Sequence, residues 1–235
     1  MSSNTAAKRH SSRTAGMSTG ARRSIALLAG LLGLAAIISG GQLLVAGIAH
    51  YQAQAFLKHW EQNPNQPSEQ AGTIAEDAIQ RAIRAYPGSN GQYLETLGYI
   101  EQWRAFGADL NDPNAQQQRH AAVQALREST RARQTWPDAW AALAYAKLTV
   151  LEFDDEFTRA LQQAQHFGPW RIGINRRIAE IGLIAFAELN AEQRTITAES
   201  MQRTAQYSAK EHQQLLTLAK QTNNLNALQT ALQPR

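Results

Sequence analysis

Apolar residues follow two distinct patterns along this chain of 235 residues. The first is a continuous run from Ser24 to Ala49, which holds 26 residues and no charged side chain. With a rise of about 1.5 Å per residue, a helix of this length crosses the roughly 30 Å hydrocarbon core of a bilayer. A helix also satisfies its own backbone hydrogen bonds, which lipid cannot do. Residues 24–49 are therefore predicted to form a transmembrane helix.

The second pattern begins at Glu69, where apolar residues recur at spacings of three and four, as on one face of an amphipathic helix. In the first such helix these positions are Ile74, Ala78, Ile79, Ala82, Ile83 and Tyr86. Similar stripes continue to Leu232, separated by turn signals such as Pro87-Gly88 and Gly168-Pro169. One of them, from Ile174 to Leu189, is apolar enough to predict a central buried helix. Residues 69–235 are thus predicted to form an all-α domain.

The stretch between the two patterns, residues 50–68, is predicted to extend the membrane helix and then to form a linker. Proline lacks a backbone N–H and restricts the residue before it, so Pro64 and Pro67 should end the helix. Tyr51, Phe56 and Trp60 suit the membrane interface, where aromatic rings concentrate.

The distribution of charge predicts which side of the membrane each part occupies. Residues 1–23 carry five basic residues and no acidic one, and the first acidic residue of the chain is Glu61. Basic segments beside a membrane helix stay in the cytoplasm. We therefore expect residues 1–23 to be a disordered, basic cytoplasmic tail and residues 50–235 to be exported, as in a single-pass protein of the bacterial inner membrane with a periplasmic domain.

A cleaved secretory signal is the alternative interpretation of the same segment. Gly47-Ile48-Ala49 supplies the small residues that a signal peptidase recognises. The apolar run is longer than the 7–15 residues typical of a signal peptide, however, and the basic leader is also long. These features favour an uncleaved anchor.

The composition narrows the classes of partner and of chemistry. Residues 61–235 carry 17 Lys/Arg and 19 Asp/Glu, so the exported part lacks the basic surface that nucleic-acid binding requires. The chain has no cysteine, which excludes a disulfide, a thiolate metal site and a cysteine nucleophile.

Two stretches of the predicted domain align with each other. In each, a helix runs to a proline, and the next helix carries Leu, a small residue and Tyr: Leu97-Gly98-Tyr99 and Leu143-Ala144-Tyr145. The arrangement resembles the tetratricopeptide repeat, in which helical hairpins stack into a solenoid. The triplets lie 46 residues apart, whereas a standard repeat has 34. The fold prediction is an all-α protein in which one N-terminal transmembrane helix precedes a tetratricopeptide-like solenoid or a helical bundle.

The chain also resembles the VpsP family of exopolysaccharide-biosynthesis proteins. The similarity lies in AYPGSNGQYLETLGYIEQWRA (85–105) and TWPDAWAALAYAKLTVLEFDDEFTRALQQAQHFGPWR (135–171), preceded by a single membrane segment. It implies an accessory membrane protein in the assembly or export of a bacterial surface polysaccharide. It transfers no catalytic residue to this chain.

Candidate chemistry is sparse in the sequence. The six histidines do not have metal-ligand spacing, and no phosphate-binding loop or nucleophile motif occurs. Asp154-Asp155-Glu156 could bind a cation, but acids at a helix start more often complement the helix dipole. We therefore predict no catalytic residue, no metal and no cofactor. Aromatic and basic residues supply a candidate partner groove instead: Tyr99, Trp136, Trp140, Tyr145, Trp170 and Arg171.

Three functional hypotheses remain open at this point. The chain is expected to be a membrane-anchored scaffold that binds polysaccharide-assembly or export proteins, with the polysaccharide as a further candidate ligand. A polysaccharide-processing enzyme of the same pathway is the first alternative. A general periplasmic chaperone-like repeat protein is the second.

Overall fold

A computed structural model describes residues 19–63, 65 and 67–233 of the chain. These residues form ten helices and no strand, which confirms the all-α prediction for the described part. The helices are α1 (Thr19–Gln62), α2 (Glu69–Ala85), α3 (Gly91–Arg104), α4 (Pro113–Ala132), α5 (Pro137–Thr149), α6 (Asp155–Phe167), α7 (Ile172–Ile184), α8 (Ala191–Tyr207), α9 (Ala209–Gln221) and α10 (Leu225–Leu232). The predicted tail lies outside the described residues up to position 18, and residues 19–23 are helical.

The first part of α1 is exposed from residue 23 to residue 45. Its large apolar side chains, from Ile25 through Leu44, are each between about half and three-quarters exposed. Of the helices that the structure describes, α1 alone is long and apolar enough to cross a membrane. The predicted apolar helix is therefore present, as the first part of an element of 44 residues.

The second part of α1 belongs to the compact unit that spans residues 42–235. Side chains at spacings of three and four on one face of α1 are buried against α2 and α3, namely Ala46, Ala49, Ala53, Leu57 and Trp60. The sequence predicts that the domain begins at Glu69, whereas in the structure its core begins at Ala46. Phe56 and Trp60, which the sequence assigns to the membrane interface, pack in this core instead.

Helices α2 to α10 pack mainly against their neighbours in the chain. Each adjacent pair from α2–α3 to α9–α10 is in contact, and further contacts join helices two positions apart. Among these, α3, α5, α7 and α9 follow one another in a layer through the pairs α3–α5, α5–α7 and α7–α9. Such next-neighbour packing is typical of stacked helical hairpins.

Small residues mark the closest approaches between helices. A Cβ on Gly98 of α3 would lie 2.5 Å from Leu126 Cγ of α4, and a Cβ on Gly182 of α7 would lie 2.4 Å from Thr197 Cβ of α8. Gly98 is the small residue of the first repeated triplet. Gly182 follows Ile181 as Gly98 follows Leu97, so the same close approach after a large apolar residue occurs at both positions.

The sequence misplaces the elements between residues 185 and 207. Helix α7 ends at Ile184, which is 41% exposed, and does not continue to Leu189. Asn190 then starts α8 through a capping box, in which its side chain accepts from Gln193 N while Gln193 caps the backbone of Asn190. This reciprocal cap, together with the burial of Leu189, fixes the break between the two helices.

Candidate partner groove

The structure brings three of the six predicted groove residues to one open depression, here called the partner groove. The groove has a volume of about 790 Å³ and lies between the second part of α1, helix α3 and the turn that leads into α5. Tyr99, Trp136 and Arg171 all line it. Its remaining walls are formed by Gln54, Leu57, Lys58, Glu61, Gln92, Glu95, Thr96, Arg133 and Asp138.

Trp136 stands at the mouth of the groove between two guanidinium groups. It is the N-cap residue of α5, and Pro137 at the first helical position fixes the direction in which α5 begins. The guanidinium carbon of Arg133 lies 4.1 Å from a Trp136 ring centroid, and that of Arg171 lies 5.2 Å away. Arg171 also pairs with Asp138 at 2.5 Å. The indole is thus held by cation–π contacts to one arginine just before α5 and to another just before α7.

Tyr99 and Tyr145 lie deeper in the same layer of helices, joined by an arginine. Arg177 of α7 places its guanidinium carbon 5.8 Å from the ring centroid of Tyr99 and 5.6 Å from that of Tyr145. Tyr99 donates a hydrogen bond of 3.2 Å to Glu95. Burial raises the pKa of the Tyr99 hydroxyl, so this side chain remains a neutral hydrogen-bond donor.

Glu95 is the most confined acid of the partner groove. Burial first, and then the neighbouring charge of Asp138, raise its pKa above the usual range for glutamate. Its two oxygens accept from Tyr99 at 3.2 Å and from Arg133 at 3.5 Å. The groove therefore offers paired polar groups beside aromatic rings, an arrangement suited to recognition by hydrogen bonds and stacking.

The other predicted residues take different positions. Trp140 is half-buried against the central core, and its indole N–H donates to Gln134 O at 2.6 Å. Trp170 is 83% exposed at the α6–α7 turn, with Arg203 at 5.4 Å from its ring centroid. Sequence reasoning missed that α1 forms one wall of the groove, and the spacing of Ala46, Ala49 and Ala53 was the signal that could have indicated a buried face.

A second depression, of about 530 Å³, lies between α2, α3 and α4 and is lined mainly by polar side chains. Within it, Arg104 pairs with Glu76 and approaches both oxygens of Glu101 at 3.3 Å. Glu101 is 3% exposed. Burial raises the pKa of Glu101 to about 7, the nearby charge of Glu76 acts in the same direction, and Arg104 opposes both.

A third polar cluster surrounds the fully buried Lys147 of α5. Its ammonium donates to Glu152 at 2.8 Å and to Asp154 and Glu156 at 2.9 Å. Two of the three acids that the sequence places at a helix start thus bind a lysine, and Asp154 also caps α6 by accepting from Phe157 N at 2.9 Å. Among the described residues, no group of three or more acidic or histidine side chains could hold a metal ion.

Comparison with known proteins adds no relative from which a function could be transferred. No family model, no curated protein and no solved structure matches the chain.

Proposed function

We propose that this chain is a membrane-anchored adaptor in bacterial exopolysaccharide biosynthesis or export, which holds a protein of the assembly or export machinery in the partner groove. The observation that carries the proposal is the groove itself, where aromatic rings and paired charges from α1, α3 and α5 face an open volume of about 790 Å³. The resemblance of residues 85–105 and 135–171 to the VpsP family supplies the pathway.

The packing of the helices supports an adaptor that binds other proteins more than it supports an enzyme. Hairpins that contact mainly their neighbours form extended surfaces, and tetratricopeptide-like solenoids use such surfaces to bind extended segments of other proteins. We infer a solenoid of this kind for α2–α10. The close helix approaches at Gly98, after Leu97, and at Gly182, after Ile181, support it.

The leader and the apolar helix support the location. With five basic residues before position 24 and no acid before Glu61, the N-terminus belongs in the cytoplasm and the compact unit in the periplasm. An uncleaved anchor raises the local concentration of the groove near partners in the inner membrane.

Filling the groove provides the test. Lys58→Trp places a large ring in the groove from an exposed position of α1, whereas Ala55→Trp places the same ring on an exposed position of α1 outside it. If the partner binds in the groove, the new ring should weaken its binding, and a loss of about 1.4 kcal/mol in binding free energy lowers affinity tenfold. Secreted polymer should therefore fall markedly for Lys58→Trp alone. Membrane levels of the protein and pools of sugar nucleotides should stay unchanged.

Two results would count against the adaptor. Normal polymer output from Lys58→Trp would show that the groove is not used. A loss of many unrelated exported proteins on deletion of the gene would instead favour the chaperone-like alternative.

A second candidate function, polysaccharide processing, is favoured by Glu101. A carboxyl group with a pKa of about 7 in a polar depression has the property that a general acid requires near neutral pH. On this hypothesis Glu101→Gln abolishes polymer output while the folded protein still reaches the membrane. The adaptor proposal expects output within about twofold of the wild type, because this shape-conserving change lies outside the partner groove.

A further inference from the structure

Exposed aromatic residues lie one or two residues before the first residue of three helices of one layer, two of them in turns and one at the end of α8. Trp136 precedes α5, Trp170 precedes α7 and Tyr207 precedes α9, and these side chains are 38%, 83% and 63% exposed. We call these three residues, with the arginines that contact the two tryptophans, the aromatic edge.

Contacts between these turns show that they follow one another along one side of the domain. Arg133, just before α5, lies 3.5 Å from Glu95 near the start of α3. Arg171, just before α7, pairs with Asp138 at the start of α5. Arg176 near the start of α7 binds Glu211 near the start of α9, with bonds of 2.8 and 2.5 Å.

The same side of the domain is where the chain enters it from the apolar helix. His50 stacks on Tyr93, near the start of α3, with ring centroids 4.6 Å apart. Ten residues later Trp60 lies 6.3 Å from Trp103, near the end of α3. The second part of α1 and helix α3 therefore run in the same direction, and the start of α3 lies beside the entry of the chain.

We propose that the aromatic edge is a membrane-contacting surface, which rests on the lipid headgroups of the bilayer that the apolar part of α1 crosses. Ala46 is completely buried in the domain core, whereas Val45 and Ile48, on the other face of α1, are each about half exposed. Residues 24–45 then supply about 33 Å of helix, enough for the hydrocarbon layer. The domain core begins within one residue of that point, at Ala46.

The chemistry of the edge fits a headgroup layer. Indole and phenol rings prefer the membrane–water interface, because one end is apolar and the other can hydrogen-bond. Arg171 and Arg203 lie over the rings of Trp136 and Trp170. Each also faces a carboxylate, Asp138 at 2.5 Å and Glu199 at 3.4 Å, and the remaining N–H groups of each guanidinium can donate to a lipid phosphate. Trp170 is the most exposed aromatic side chain of the edge, so its ring is free to enter a headgroup layer.

The absence of cysteine from the chain allows a direct test in the full-length protein. The single substitution Trp170→Cys places a fluorescent label on the aromatic edge, and Lys210→Cys places one on an exposed position three residues after Tyr207, at the start of α9. Leu110→Cys and Leu151→Cys place it on exposed turns that follow α3 and α5, on the opposite side. The labelled proteins are reconstituted into phosphatidylethanolamine–phosphatidylglycerol vesicles that contain a lipid with a nitroxide on its headgroup.

The proposal expects quenching at positions 170 and 210 to be at least about twice that at positions 110 and 151, because interfacial side chains lie at headgroup depth. Adding Trp170→Ala to Lys210→Cys should reduce the quenching at position 210. Equal quenching at all four positions, with the protein retained in carbonate-washed vesicles, overturns the proposal but leaves the groove function intact. Release of the protein by carbonate overturns the anchor and the membrane-contacting edge together.

Discussion

Two charge clusters of this protein each contain glutamates and basic residues, but the pKa of the central glutamate shifts in opposite directions. Glu101 shares one cation, Arg104, with a second acid, Glu76. Glu156 binds two cations, because Arg127 donates to both of its oxygens at 2.6 and 2.7 Å and Lys147 donates at 2.9 Å. The pKa of Glu101 is raised to about 7, and that of Glu156 is lowered to about 2.

The difference shows that burial alone does not decide the charge of a carboxyl group. Glu101 is almost completely buried and Glu156 is partly buried, and the loss of water around each carboxyl group raises its pKa. For Glu156 the hydrogen bonds from Arg127 outweigh burial, whereas for Glu101 the longer contacts to Arg104, at 3.3 Å, do not. The number of donors and their distance from the carboxylate therefore determine the sign of the shift.

The largest effect is expected from Lys147→Met, which removes the cation at the centre of one cluster. Glu152, Asp154 and Glu156 would then face each other without their shared ammonium. Removing one partner of a buried pair costs about 3–5 kcal/mol in the free energy of unfolding, and because water screens the partly exposed acids here, we expect the low end, about 3 kcal/mol. Urea unfolding of the full chain in detergent, followed by circular dichroism, measures this loss.

Arg131→Met is the matched control for this variant. Arg131 pairs with Glu128 at 2.5 Å, but the two side chains are 66% and 49% exposed. Its loss should change the free energy of unfolding by less than about 0.5 kcal/mol. Equal costs for the two variants would mean that the cluster around Lys147 contributes no more than a surface pair.

An intermediate effect, of about 2 kcal/mol at neutral pH, is expected from Glu156→Gln, because the amide cannot hold both cations. The low pKa of Glu156 stabilises the wild type at every pH above its unfolded value of 4.5, and this contribution is lost as the pH falls towards 2. The variant should therefore lose less stability than the wild type over that range. Unfolding midpoints measured from pH 2 to 5 test this, and identical acid profiles would contradict it.

The smallest effect has the opposite sign and comes from Glu101→Gln. Because the pKa of Glu101 is raised, the folded protein binds a proton that the unfolded chain releases at about pH 4.5. The wild type should lose stability as the pH rises from 4.5 to 7. The variant cannot ionise, and at pH 8 it should be more stable by about 1 kcal/mol, since Arg104 keeps Glu76 as a partner.

The control for this variant is Glu128→Gln, at an exposed position, which should show the pH profile of the wild type.

The sequence predicts the positions of the helices far better than it predicts which side chains contact each other in the folded chain. Periodic apolar stripes and prolines locate α2 to α6 closely, because these signals are local. The capping box at Asn190 and Gln193 is also local, but the apolar positions from Ile174 to Leu189 obscured the end of α7. The partner groove could be predicted only in part. Tyr99 and Trp136 lie on helices that contact each other only in the folded chain, and the contribution of α1 depends on which of its faces α2 and α3 cover.

Charge clusters were the least predictable feature, for a related reason. Lys147 looks like an ordinary surface residue of an amphipathic helix. Its burial follows from the loop 150–154, in which Leu151 adopts a positive φ of 59° and Glu152 N donates to Lys147 O. The loop folds back over the lysine, and no periodic pattern in the sequence predicts this loop conformation.

The packing of each helix mainly against its neighbours in the chain has a consequence for how the protein is made. Contacts that are short in sequence need little loop closure, and chains dominated by them fold fast. If the domain is exported after α1 has inserted, α2 and α3 can cover the buried face of α1 before the later helices have crossed the membrane. Each newly delivered hairpin then adds to a surface that already exists, so the chain can fold in the order in which it emerges.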